Sequence, residues 1–180
     1  MLLPLLAVIA IALVALLGYA ASRPDSFRVE RSTRITAPAQ QIAPLIDDFH
    51  AWSSWSPYEK LDPAMQRTYG GAARGVGATY EWNGNSKAGA GRMKVVHADA
   101  SRVAMKLDFT RPFRANNLAE FTLVPDGDAT AVTWGMTGSS PFMSKLFGVF
   151  VNMDNLIGRD FETGLAKLKA LSERAASPAA

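Results

Sequence analysis

The sequence predicts an α+β architecture: a curved antiparallel sheet wrapped around a long C-terminal helix, two short helices after the first strand, and one transmembrane helix at the N-terminus. Three observations carry this expectation. The first 22 residues hold no charged side chain. The middle of the chain alternates apolar and polar residues between turn signals. From Pro141 onward, apolar residues recur at helical spacing.

The opening "MLLPLLAVIAIALVALLGYAAS" supplies, from Leu2 to Ala21, the roughly 20 apolar residues that a helix needs to cross the hydrocarbon core. Tyr19 falls near an interface, and Pro4 lies in the first turn, where its missing N–H costs little. A cleaved signal peptide would suit the small residues Gly18, Ala20 and Ala21. Against it stand the absence of Lys or Arg ahead of the run and a run longer than a usual signal core. We expect an uncleaved anchor at residues 1–22 and a linker at residues 23–26. Nothing basic precedes the span, while Arg23, Arg28, Arg31 and Arg34 follow it. The positive-inside rule makes this a single-pass membrane protein with its folded domain in the cytoplasm.

"SFRVERSTRITAP" reads as a long first strand, with Phe27, Val29, Arg31, Thr33 and Ile35 on one side. Pro38 opens a short helix, "AQQIAPLIDD", with Ile42, Leu45 and Ile46 on one side, and Pro44 keeps it short or bent. The aromatic stretch "DDFHAWSSWSPYEKLDP" follows. Then come strands in "MQRTYGG", "GVGATYEWNG", "GRMKVVHADAS" and "RVAMKLDF", and a pair joined by "PDGD", a hairpin-turn signal. The last element begins near Pro141. Phe142, Leu146, Phe150, Met153, Ile157, Phe161, Leu165, Leu168 and Leu171 make it one amphipathic helix of about thirty residues. Asn152, Asp154 and Asp160 lie toward its polar side, and Gly148 and Gly158 are places for a bend or a close approach of the sheet. The folded domain spans 27–174, and a disordered tail takes 175–180. A sheet of first strand plus about six more needs a cover on one face. The long helix is the candidate, and the gap beneath it is a natural pocket.

Composition narrows the function. With 48% hydrophobic and 19% charged residues, the chain is a folded one. The formal charge is +3 and the basic residues are scattered, so no nucleic-acid partner is expected. There is no cysteine, which removes disulfides, thiol catalysis and thiolate metal sites. The glycines of "GGAARGVGATY" lead into a strand rather than a helix N-terminus, so they serve a turn and a bulge and not a phosphate loop.

The pattern "FRVERSTRITAP" at 27–38, "WSSWSPY" at 52–58 and "GVGATYEWNG" at 75–84 resembles the polyketide cyclase/dehydrase-like proteins of the SRPBCC (START-like, helix-grip) superfamily. The resemblance covers roughly residues 26–174, and an N-terminal membrane helix is common in the branch it points to. It implies a deep apolar cavity between sheet and long helix. It does not imply one activity: such proteins bind lipids, sterols or polyketides, a few are cyclases, and others activate chaperones or metabolise aromatics.

The expected cavity lining is Trp55, Tyr58, Tyr80, Trp82, Met93, His97, Met105, Phe109, Phe121, Trp134, Met136, Phe150 and Met153. The same residues would also make an ordinary core. Trp52 and Trp55 read as core at their corner, with Trp55 or Tyr58 as the residue that also touches a ligand. His97 is in phase with Met93 and Val95 and so would face inward, as a hydrogen-bonded strand-end histidine or, less simply, a general base. No catalytic residue is assigned. Asp47, Asp48 and His50 have some metal-ligand character, but a metal site needs three or more converging ligands with second-shell support and the other histidine, His97, is on a distant strand, so no metal or cofactor is expected. The partner expected is an apolar small molecule or lipid, besides the membrane at residues 1–22. The alternatives are a cyclase/dehydratase-type enzyme and a ligand-free, chaperone-activating interaction module. The oligomeric state is not set by the sequence.

Overall fold

The structure is a computed structural model and describes residues 2–176. The apolar N-terminal run forms one helix, α1 (Leu2–Ser22). It is long and apolar enough to cross a membrane, and its side chains are nearly all exposed.

Seven strands follow: β1 (Ser26–Ile35), β2 (Gln66–Gly70), β3 (Thr79–Asn83), β4 (Ala90–Ala98), β5 (Arg102–Arg111), β6 (Ala115–Asp126) and β7 (Ala129–Ser139). They form one sheet in the order β1-β7-β6-β5-β4-β3-β2, antiparallel throughout. The period-two pattern fixes the faces. In β1, Val29 and Ile35 are buried while Arg28, Glu30 and Arg34 point outward. The tight turn between β6 and β7 takes Gly127 at φ +64°, a conformation glycine adopts freely.

Between β1 and β2 the chain makes a run of short helical pieces. These are α2 (Ala39–Asp47), a 3-10 turn at Phe49–Ala51, α3 (Trp52–Trp55) and a second 3-10 turn at Pro57–Lys60. Extended Pro38 opens α2, which buries Ile42 and Ile46 and carries Pro44 inside it. Asp48 caps the first turn by accepting from the His50 backbone N–H at 2.9 Å. Asp48 and His50 are thus spent on each other, the His50 Nδ1 lying 3.0 Å from the same carboxylate oxygen.

The single long helix expected from Pro141 is two helices, α4 (Phe142–Phe150) and α5 (Met153–Ala176). Val151 is extended at φ −122° and ψ 121°, and the Asn152 side chain accepts from the Asn155 N–H at 3.0 Å. Asn152 is therefore a cap that starts a new helix inside a stretch whose apolar period runs on. The consequence is large. Phe142, Phe150 and Met153 are exposed rather than packed on the sheet. The buried stripe is carried by Phe161, Leu165 and Leu168 of α5. Residues 175 and 176 of the expected tail end α5, and residues 177–180 lie outside the described residues.

Two sets of contacts seat α5. Phe161 stacks on Trp134 of β7, with ring centroids 4.1 Å apart and planes 10° off parallel. Arg31 of β1 clasps the start of α5: its Nη1 and Nη2 donate to the Asp154 carboxylate at 3.1 and 3.0 Å, and its Nε donates to Glu162 at 2.8 Å. This bidentate fork is the geometry at which Arg outperforms Lys. Gly164 faces the Trp134 ring, where an added Cβ would sit 2.7 Å from the ring edge and 3.1 Å from Pro57. Gly→Ala in a helix interior ordinarily gains up to about 1 kcal/mol. Here Gly164→Ala is expected to destabilise instead, by about 1–3 kcal/mol in urea unfolding, because the stacked ring has nowhere to go.

Candidate ligand cavity

The inward face of the sheet is not covered evenly. α2 packs over β5 and β6 at one end, and α5 runs along β1. Tyr80 and Trp82 of β3, Met93 of β4, Leu107 and Phe109 of β5 and Asn117 and Ala119 of β6 instead face a gap between the sheet and the C-terminal helices. A cavity of about 990 Å³ remains there. That is the upper end of the range of roughly 300–1,000 Å³ typical of small-molecule sites.

The register explains where it stops. On β5, Phe109 and Leu107 border the cavity, while Met105 and Val103 are sealed core. On β6, Asn117 and Ala119 border it, while Phe121 is sealed. Sealed Met105 pairs with Ala119, which borders the cavity, so the boundary runs obliquely, stepping by one inward pair from β5 to β6. Inward residues two apart lie about 7 Å from each other along a strand, so one step decides between wall and core. Trp134 stands on this boundary, with Phe121, Trp55 and Tyr58 around it at ring distances of 4.9, 5.6 and 6.2 Å.

Of the lining expected from sequence, Tyr58, Tyr80, Trp82, Met93, Phe109, Trp134, Met136, Phe150 and Met153 border this cavity. Trp55, Met105 and Phe121 do not: they are buried in the closed end. Trp55 donates its indole N–H to the Leu45 carbonyl at 2.8 Å, as core tryptophans do. Its neighbour Trp52, read as core, is buried too but touches the cavity. His97 is outside it. A register shift between Val95 and His97 breaks the alternation, and the ring lies half-exposed, 2.8 Å from Asp99.

Several polar groups at the cavity were not foreseen, Glu59, Asn117 and Asp160 among them. Glu59, in the second 3-10 turn, is buried and accepts from the Tyr80 hydroxyl at 2.6 Å and from Arg67 Nε at 2.7 Å. Asn117 donates weakly to Met136 Sδ at 3.7 Å, and its carbonyl oxygen is buried without a partner. Asp160, expected on the polar side of the last helix, borders the cavity and has no hydrogen-bond partner among the described residues. Signals for two of them were present. Asn117 shares a strand face with Ala119 and Phe121, and Asp160 lies three positions after Ile157. Glu59 gave none, since "YEKL" reads as surface.

Burial sets the protonation states. It raises the Tyr58 phenol, with the Asp160 charge adding to the rise. It raises Tyr80 likewise, helped by the hydrogen bond to Glu59. Both phenols stay protonated at neutral pH, and Tyr80 donates to Glu59. Burial also raises the Asp160 carboxyl. The site therefore has an apolar body, and its wall carries the Asp160 carboxyl and the Asn117 amide oxygen as open acceptors and the unpartnered Trp134 indole N–H as an open donor. That suits an apolar molecule carrying a hydroxyl, which can both donate and accept. Among the described residues no group of three His, Asp or Glu is placed to hold a metal ion.

Two substitutions probe this wall. A carboxyl whose folded pKa is raised weakens the fold as pH climbs from its unfolded value, about 3.9, through its folded one. Asp160→Asn should therefore raise the Tm at pH 7, and the gain should shrink toward pH 3. Glu59→Ala should cost about 3 kcal/mol in urea unfolding, because it leaves the Arg67 Nε and the Tyr80 hydroxyl without their shared acceptor.

The comparisons with known proteins agree with this geometry. Residues 26–173 match the family described as polyketide cyclase / dehydrase and lipid transport. No curated protein matches the chain. Among solved structures, a protein from Thermobifida fusca, determined in solution, aligns with a TM-score of 0.60 at 24% identity, over 82% of this chain and 93% of that one. The di-domain ARO/CYC StfQ of the steffimycin biosynthetic pathway aligns with a TM-score of 0.66 at 9% identity, over 84% of this chain and 52% of that one. The Aha1 dimer from Colwellia psychrerythraea aligns at 0.51 with 17% identity, over 82% and 96%. At these identities the likeness is one of fold.

Proposed function

The chain belongs to the polyketide cyclase / dehydrase and lipid transport family, and on that premise we propose that it is a membrane-anchored binding protein for an apolar small molecule or lipid. The observation that carries this reading is the cavity of about 990 Å³. A cavity that size, walled by Trp82, Met93, Leu107, Phe109 and Met136, is large enough for a lipid-sized or polycyclic body. Methionines in the wall fit irregular ligands, and Asp160 and Asn117 offer acceptors for a ligand hydroxyl. α1 would hold this cavity beside the bilayer, where apolar molecules concentrate. Arg23, directly after α1, supports a cytoplasmic placement of the domain.

A cyclase-type activity has one observation in its favour, the unpaired Asp160 beside the Tyr58 phenol on the wall. The interaction-module reading calls for a filled interior, and the cavity counts against it.

Binding is tested on the full chain in lipid nanodiscs by energy transfer from its tryptophans to cis-parinaric acid, a fluorescent polyene fatty acid, with empty nanodiscs as the blank. Saturable transfer is expected. Ala119→Trp, which projects an indole into the cavity, should weaken binding about tenfold or more, equivalent to at least ~1.4 kcal/mol, while the domain keeps its circular dichroism. Undiminished binding by a folded Ala119→Trp chain would place the probe elsewhere and sink the proposal.

A further inference from the structure

α4 is turned inside out for a helix on a water-soluble surface. Its single charged residue, Lys145, is 8% exposed and is drawn against Asp25 of the linker at 2.5 Å. Its large apolar residues point outward, Met143 at 71% and Phe147 at 59% exposure, with Phe142 and Phe150 also exposed. Met143, Phe147 and Phe150 follow one another at i, i+4 and i+7, so they form a single row. An apolar row of this kind on a soluble face marks something that covers it.

Its position says what the cover is. α4 packs against α1. Arg23, the first residue after α1, donates to the Gly148 carbonyl at 2.6 Å, and the Ser140 N–H donates to the Asp25 carbonyl at 2.7 Å. α4 is thus pinned to the end of α1. Arg23, bound to the Gly148 carbonyl, and Lys145, paired with Asp25, gather basic charge at the junction of α1 and α4, where a membrane interface would place it. On its inner side α4 is the cavity wall: Ser144, Lys145, Gly148 and Val149 border it, together with Arg23 and Pro24, and Phe150, the end of the outward row, reaches its rim.

We propose that α4 lies in the headgroup–acyl boundary of the membrane that α1 crosses, and that the cavity opens there, beneath α4, so that ligand exchanges directly with the bilayer. This rests on the reading of α1 as a membrane anchor. The occupant of the apolar row is lipid, not a second copy of the chain or another protein. The break at Val151–Asn152 is what allows it, since a continuous helix would have carried Phe147 along the axis of α5.

The absence of cysteine makes the test clean. Single cysteines at Met143, Phe147, Val14 of α1 and Val124, an exposed residue of β6, each carry an environment-sensitive fluorophore on the full chain in phosphatidylcholine vesicles. Doxyl quenchers placed high or deep on the acyl chain then report depth. Quenching at Met143 and Phe147 by the shallow quencher, about threefold or more above Val124, is the expected result for an interfacial helix. Quenching at Val14 alone overturns the proposal and leaves the anchor standing. No quenching at Val14 overturns both. A second readout concerns exchange: Met143→Glu with Phe147→Glu should slow loading of cis-parinaric acid from vesicles about tenfold, with the binding of probe added from ethanol unchanged. Equal loading rates would show that the cavity does not open through α4.

Discussion

One stacked pair governs this molecule, the Trp134 indole of β7 against the Phe161 ring of α5. It fixes how close the C-terminal helix comes to the sheet. Around it gather Phe121, Trp55, Trp52 and Tyr58, all within 6.4 Å between ring centroids. Aromatic pairs of this kind each contribute roughly 0.5–1.5 kcal/mol beyond simple burial. Together they make one end of the sheet-and-helix sandwich solid. The other end has no such cluster across the gap. Because α5 is pinned along β1 and at Trp134, it cannot settle onto β3 and β4, and the cavity is what remains. The aromatic stretch "AWSSWSPY" thus creates the cavity by plugging one end of it.

Charge then holds what the aromatics position. Arg31 ties β1 to the first turns of α5, and Arg67 with Glu59 fixes the 3-10 turn that presents Tyr58. The carboxylates of Asp154 and Glu173 are held below their ordinary range, chiefly by their hydrogen bonds to Arg31 and to Lys169. Both pairings favour the fold at neutral pH and are lost as the pH falls through those lowered values. Asp47 and Asp160 run the other way, each raised by burial, and Asp160 is at the wall where a ligand would meet it. The fold accepts poorly solvated carboxyls at these two places, the Asp47 Oδ1 being buried without a partner.

Much of this was legible in the residues, and what was missed has identifiable causes. The strands declared themselves by period two, and the length and composition of α1 marked it as a membrane-length helix. The split between α4 and α5 was hidden because Phe150, Met153 and Ile157 keep a helical apolar period through Asn152, whose capping role shows only in the backbone. His97 was turned outward by a single register shift. Met93 and Met105 share a sheet face, and sequence pattern cannot say that one lies under open space and the other under α2. That difference depends on which helix crosses which end of the sheet. Glu59 was unreadable for a similar reason, since its burial follows from Arg67 and Tyr80 meeting it across the chain.

The most direct test of the account is native mass spectrometry of the full chain, extracted with its surrounding lipid in polymer-bounded particles and released in the gas phase. The account predicts a stoichiometric apolar adduct that is enriched over the lipid around it and stays bound when loosely held lipid has been stripped. A bare chain mass, or adducts in the proportions of the bulk membrane, would contradict it and leave the space beneath α5 without a cargo.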